Sequence, residues 1–253
     1  MLTRMRRVGL LVLALLLLAT PARAATAWVQ DQNGSGNNVS SVAAIFDSNV
    51  TAGNLIAVWI RWESYAALST VTDTLGNSYT IVNNPTGGGG YEIAGAYANS
   101  PTGGANTVTA AITGGPANMD IVITEASGIA TSSPLDGSAA QYQATPGTDP
   151  DAITSGTVSA SDGAFVFGVG SEFNFVNLTA GTGFTPRESF TGQSSDKILS
   201  ETMIQSGSGS RAATFTEASA TASLALIMVF KPAGADGDGG GVTPLRSLLG
   251  VGM

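Results

Sequence analysis

The chain carries one succession of segments twice, and that repetition constrains its fold more than any other feature. Ala52-Gly53-Asn54-Leu55-Ile56-Ala57-Val58-Trp59, Leu75-Gly76-Asn77-Ser78-Tyr79-Thr80, Ala96-Tyr97-Ala98-Asn99, Asn106-Thr107-Val108-Thr109 and Ile121-Val122-Ile123-Thr124-Glu125 run in order through residues 52–129. Residues 161–232 follow with Ser161-Asp162-Gly163-Ala164-Phe165-Val166-Phe167, Thr182-Gly183-Phe184-Thr185, Thr202-Met203-Ile204-Gln205, Ala213-Thr214-Phe215-Thr216 and Leu226-Ile227-Met228-Val229-Phe230. The offset drifts only from about 109 to about 105 residues, a steady register. Each copy reads as about five short strands of mostly small residues, too thin to bury its own apolar face. The pattern therefore predicts an all-β fold: one two-layer antiparallel β-sandwich built from two pseudo-repeats, about 40–130 and 155–232.

Side chains alternate along a strand, so Leu55 to Trp62 presents Ile56, Val58, Ile60 and Trp62 to one side and Leu55, Ala57, Trp59 and Arg61 to the other. Both rows are largely apolar, which marks a central strand, with Ala164 to Val169 as its counterpart. Gly76-Asn77, Gly87 to Gly90, Gly103-Gly104, Gly114-Gly115-Pro116 and Gly207 to Gly209 punctuate the strands as turns. No helical periodicity of useful length runs between residues 28 and 232. Ile129 to Gly156, with Pro134, Pro146 and Pro150, reads as a long connection between the repeats of a single domain spanning 25–232. Residues 233–253 read as a flexible Gly/Asp linker followed by an apolar tail.

Residues 1–24 have the form of a signal peptide: Arg4, Arg6 and Arg7, an apolar run from Val8 to Ala19, Pro21, then Ala22-Arg23-Ala24. The apolar run is short for a membrane span, so the expectation is an exported chain, extracellular or at the cell surface, with no span left after cleavage. Cleavage there would remove four of the 10 basic residues and none of the 18 acidic ones, taking the net charge from −8 to −12. So acidic a chain repels phosphate backbones, which argues against a nucleic-acid partner. With no cysteine and no histidine, the composition excludes a disulfide framework, a Ser-His-Asp or Cys-His nucleophile, and a His-ligated zinc or copper centre.

Thr51-Ala52-Gly53-Asn54-Leu55-Ile56, Val71-Thr72-Asp73-Thr74-Leu75-Gly76-Asn77-Ser78-Tyr79, Gly103-Gly104-Ala105-Asn106-Thr107-Val108-Thr109, Glu125-Ala126-Ser127-Gly128 and Ser133-Pro134-Leu135-Asp136 together form a recognisable set. In these residues the chain resembles a group of uncharacterised secreted bacterial β-sandwich proteins, over roughly residues 40–232. The resemblance implies an extracellular location and a jelly-roll-like sandwich. It brings no site residues with it.

Candidate sites are accordingly drawn from the residues alone. Glu63 and Glu172 each follow the first strand of their repeat, and with Glu125 they are the carboxylates that an acid/base reading would use. Glu125 shares a strand parity with Ile121 and Ile123, so it would need a partner, with Arg61, Arg187 and Arg211 as candidates. Asp73, Asn77 and Ser78, or Asp236 and Asp238, are oxygen-rich candidates for a structural calcium, although plain turn chemistry explains them as well. Among the aromatics, Trp62 belongs to the core row, whereas Trp59, Tyr65 and Tyr91 are the candidates for an exposed ligand-binding surface. Two functions follow. One is an exported non-catalytic binding or surface-structural module, recognising a glycan or cell-surface polymer or self-assembling. The other is a carboxylate-dependent polysaccharide hydrolase or lyase.

Overall fold

A computed structural model of the chain describes residues 25–99, 101–144, 151–219 and 221–234; the signal-peptide reading and the tail beyond residue 234 lie outside them. Apart from one 3₁₀ turn, the regular secondary structure of the described residues is all strand. The first half comprises β1 (Ala27–Val39), β2 (Ser41–Ile45), β3 (Leu55–Trp62), β4 (Leu68–Asp73), β5 (Thr80–Gly88), β6 (Tyr91–Asn99), β7 (Thr107–Ile112) and β8 (Ala117–Ser127). The second comprises β9 (Leu135–Gln143), β10 (Asp151–Thr154), β11 (Val158–Ala160), β12 (Phe165–Glu172), β13 (Leu178–Ala180), β14 (Thr185–Thr191), β15 (Lys197–Ile204), β16 (Gly209–Arg211), β17 (Thr214–Glu217) and β18 (Ser223–Phe230).

Antiparallel pairing arranges the first half as a sheet β1-β8-β3-β6-β5 facing a sheet β2-β7-β4. The second half has the sheets β9-β18-β12-β15-β14 and β10-β17-β13, with β11 and β16 as a separate ribbon. Strand for strand the two orders correspond. Each is the order of a jelly roll, in which the chain alternates between two sheets so that its first strand lies beside its last. β3 and β12 occupy the middle of their sheets, the position that two apolar faces require.

The expected antiparallel sandwich is present, and its layers number four. Ile56, Val58, Ile60 and Trp62 of β3 fill a first core with Val42, Ala44, Val108, Ala110 and Ile121. Val166, Leu199, Phe215, Ile227 and Val229 fill the equivalent core of the second half. Between them lies a third core, where Leu55, Ala57 and Trp59 meet Phe165, Phe167, Val169, Leu226, Met228 and Phe230 across the two five-stranded sheets. In this stack β1 packs on β14 and β5 on β9. That is the reciprocal contact pattern of a two-fold interface.

Strands missing from the sequence reading account for the extra layers. β1 is a run of Gln, Asn, Gly and Ser with little strand propensity, held by pairing along β8. The Ile129–Gly156 segment is not a bare connection, because it contains the edge strand β9 and the short strand β10. Gly170 of β12 admits Phe215 to its core, since a Cβ there would lie 2.5 Å from the Phe215 ring.

The layering predicts the behaviour of a single half. Residues 25–133 expressed alone keep their own core but expose the Leu55, Trp59, Ile93 and Val122 face. The expected product has β-type circular dichroism, binds a hydrophobic dye and elutes as an oligomer. A monomeric, dye-silent half would show that the middle core is dispensable.

Candidate functional site

Alternation along β3 places Arg61 in the row that faces the middle core, so a guanidinium arrives where the two halves meet, fully buried. Three carboxylates answer it. Asp120, directly opposite on β8, accepts from Arg61 Nη1 at 3.2 Å. Glu63, two residues along the chain, accepts from Nη2 at 2.6 Å. Asp196, from the second half, pairs with the same nitrogen. Asp196 is delivered by a 3₁₀ turn at Gln193–Ser195 that closes on the first half. The amide of Gln193 donates to Asp120 Oδ1 at 3.0 Å, as does Ser35 Oγ at 2.6 Å. Asn118 Nδ2 donates to Glu63 Oε2 at 3.0 Å and to Ser194 Oγ at 2.9 Å. Phe173 and Tyr91, stacked at 4.1 Å, lie 5.4 and 5.6 Å from the guanidinium.

One cation for three carboxylates in a dry site leaves an excess of negative charge. Burial pushes Asp196 up to about 7, against the pull of Arg61. Burial likewise raises Asp120. Asp120 and Asp196 are closed to solvent, and Glu63, one-fifth exposed, is the member that reaches it. The arrangement holds charge and fastens the halves. A second polar seam lies across β1 and β14, where Arg187 sits 4.0 Å over the Trp28 ring and Asn33 donates to Glu188 at 2.5 Å. Burial there, with Glu188 adding to it, takes Asp31 to about 6.

The three glutamates of the acid/base reading go to separate tasks. Glu125 is buried with Gln30 Nε2, Thr51 N and Asn54 Nδ2 at 2.6, 2.9 and 2.5 Å, so amides and not an arginine satisfy it. It lies beside Ile56, about 23 Å along β3 from Glu63 at 3.3 Å per residue. Glu172 corresponds in the strand alignment to Trp62 and not to Glu63, because β3 and β12 match end to end at Leu55 and Phe165. A one-residue difference in register turns a side chain to the opposite face. Glu172 therefore points away from the Arg61 cluster, and its oxygens accept from the amides of Asn174 and Lys197 at 2.6 and 2.8 Å. A further buried acid, Glu201, accepts from the amides of Gly181 and Thr214, and burial raises it to about 7.

Asp73, the calcium candidate, gathers donors. Leu75 N, Asn77 N, Asn77 Nδ2, Tyr79 Oη and Asn106 Nδ2 all donate to it within 3.1 Å. Burial would raise its pKa, but the bonds from Asn106, Asn77 and Tyr79 outweigh burial and hold it below the usual value. Both oxygens thus close a turn, with Gly76 at φ 73°. Asp236 and Asp238 lie outside the described residues.

Of the three aromatic candidates, Trp59 is a correction. It is fully buried in the middle core, because its row covers the other half. Tyr91 is half-buried and Tyr65 is 82% exposed. Tyr65 lies against Gly90, and Tyr142 against Gly88 and Gly89, at the tip of the β5–β6 hairpin. Gly89 and Gly90 have φ of 64° and 90°, the backbone that a two-residue type I′ hairpin needs. Phe173 stacks on Tyr91, and Phe175, two residues further along the chain, is 64% exposed and has φ 63°. So bulky a residue in the left-handed region is strained. Tyr65 and Phe175 stand at the same distance beyond the ends of β3 and β12, an offset of 110, whereas the offset of 109 in the sequence pairs Tyr65 with Asn174 and so misses Phe175. Asp120 and Asp196 carried no signal of this kind. No protein-family model, no curated protein and no solved structure matches this chain.

Two expectations follow from the electrostatics. Asp31, Asp196 and Glu201 have folded values near 6 to 7 against ordinary values of 3.8 and 4.5. The folded chain binds these protons more tightly than the unfolded chain, so stability falls as pH rises through that window. Asp73 acts oppositely, with a contribution lost only below its ordinary value. Calorimetry should therefore place the highest Tm at about pH 4 to 5, with a decline toward pH 8 that Asp196→Asn flattens. A Tm rising between those limits would contradict the assignment. Separately, Arg61→Ala strands Asp120 and Asp196 without a cation and should cost about 3–5 kcal/mol in urea denaturation.

Proposed function

We propose that this chain is an exported, non-catalytic binding module of the β-sandwich kind, recognising carbohydrate or another cell-surface polymer through its exposed aromatic rings. The observation that carries the reading is the pair Tyr65 and Phe175. Matching positions of the two halves present large rings to solvent, at 82% and 64% exposure, beside the partly covered Tyr91 and Phe173. Rings exposed in this way offer apolar faces to the C–H faces of sugar units, with tyrosine hydroxyls at their edges. The two jelly rolls carry one such ring each, and the resemblance to secreted sandwich proteins agrees with export.

Glycan-array and polysaccharide pull-down measurements on the mature chain test this reading. Tyr65→Ala and Phe175→Ala are each expected to weaken binding by about two- to tenfold, since one stacked ring contributes about 0.5–1.5 kcal/mol. Tm should stay unchanged, because neither ring is part of a core. Absence of binding to every glycan, together with ordered assemblies of the purified protein, would replace the reading with a structural one.

A further inference from the structure

The clearest unassigned site lies on the second half, around β16. Ser210 lines two clefts, of about 380 and 420 Å3. In the first, Phe184 and Met203 form an apolar wall, Thr182 and Thr214 add hydroxyls, and Arg211 brings a charge. The second is lined by Ser159, Ser161, Ser208 and Asp136, whose carboxylate accepts from the Ser161 amide at 2.8 Å.

Arg211 is held from its buried side. Its Nε donates to Gln205 Oε1 at 2.6 Å and its Nη1 to the Ser210 carbonyl at 3.2 Å. Gln205 is itself 3% exposed and is anchored by its own donation to the Gly207 carbonyl at 2.6 Å. Of the three arginines among the described residues, Arg61 holds carboxylates and Arg187 lies beside Asp31. Arg211 has no carboxylate within ion-pair distance among the described residues, and its Nη2 makes no hydrogen bond with them. Among the described residues the guanidinium is thus oriented by Gln205 and Ser210 and keeps its Nη2 edge free.

We infer that this cleft is a binding subsite for a carboxylated sugar residue, a uronic acid unit of an acidic polysaccharide. The planar guanidinium fork matches a planar carboxylate through paired hydrogen bonds. Phe184 faces the C–H side of the ring, the threonine and serine hydroxyls take its hydroxyl groups, and the neighbouring serine-lined cleft receives the next sugar. A phosphate or sulfate ester would call for several cations or amide donors, and the cleft supplies one guanidinium. The size of the first cleft is within the range of small-molecule sites. It lies beside Val166 and Phe167 of β12, through their partners Met203 and Thr202, whereas the aromatic residues lie at the Glu172 end, about 17 Å away along the strand. The two surfaces are therefore tested separately.

Calorimetric titration of the mature chain with tetragalacturonate is the test, with its methyl-esterified form and inorganic sulfate as comparisons. The expected result is saturable binding of the acid that weakens by about tenfold to a hundredfold in Arg211→Gln and to a similar degree on esterification. Arg211→Lys should not restore it, because a point charge lacks the fork, while Lys231→Gln should leave it intact. Equal binding by wild type and Arg211→Gln overturns the inference, as does competition by sulfate at the same concentration, which would mean an adventitious ion only. A second readout does not depend on the variants folding: the Arg211 Nε–H resonance of the wild-type chain should shift to saturation with tetragalacturonate. An unmoved resonance overturns the assignment.

Discussion

A strand that is apolar on both faces has to be covered twice, and β3 and β12 each impose that condition on their half of the chain. A jelly roll covers one face with its own smaller sheet. The other face of each five-stranded sheet stays uncovered until the two sheets meet, and their meeting produces the four-layer stack with three cores. The middle core is built from large apolar side chains of both halves, Trp59, Phe165, Phe167 and Phe230 among them. Without disulfides, this burial is what joins the halves.

The charged groups of the seam act in a different way. A buried arginine with three carboxylates gains little net stability over apolar residues of the same volume, because desolvation opposes the attraction. It does set geometry. Arg61 gains its third carboxylate only when the Gln193–Asp196 segment of the second half sits over Asp120 of the first, and Asn118 reads the same placement through Ser194. Apolar faces alone would tolerate sliding of one sheet on another. The ion cluster and the Arg187–Trp28 contact select one alignment.

Some side chains are left outside every core and every internal ion pair of the described residues. Tyr65, Phe175 and Arg211 share that character: two large rings without a core to fill and one cation without a carboxylate partner among the described residues. They occur on loops and a short ribbon, positioned by the rigid sheets beneath them, the usual location for recognition surfaces.

Much of the architecture was legible in the residues. Strict alternation in Leu55 to Trp62, its counterpart near Phe165 and the glycine-marked turns identified an antiparallel sandwich with those two strands at its centre, because strand period and turn chemistry are local properties. The same alternation correctly assigned Trp62 to a core. Other features depended on contacts between residues distant in the chain. β1 and β9 have weak strand patterns and exist through their partners β8 and β18, so the number of layers could not be read locally. Trp59 looked available because it shares a row with Arg61, but that row faces the other half, and tertiary packing buried both. Glu63 came to stand with Asp120 and Asp196, and not with Glu172, through strand register and the crossing of one turn between halves, neither of which leaves a pattern in sequence spacing.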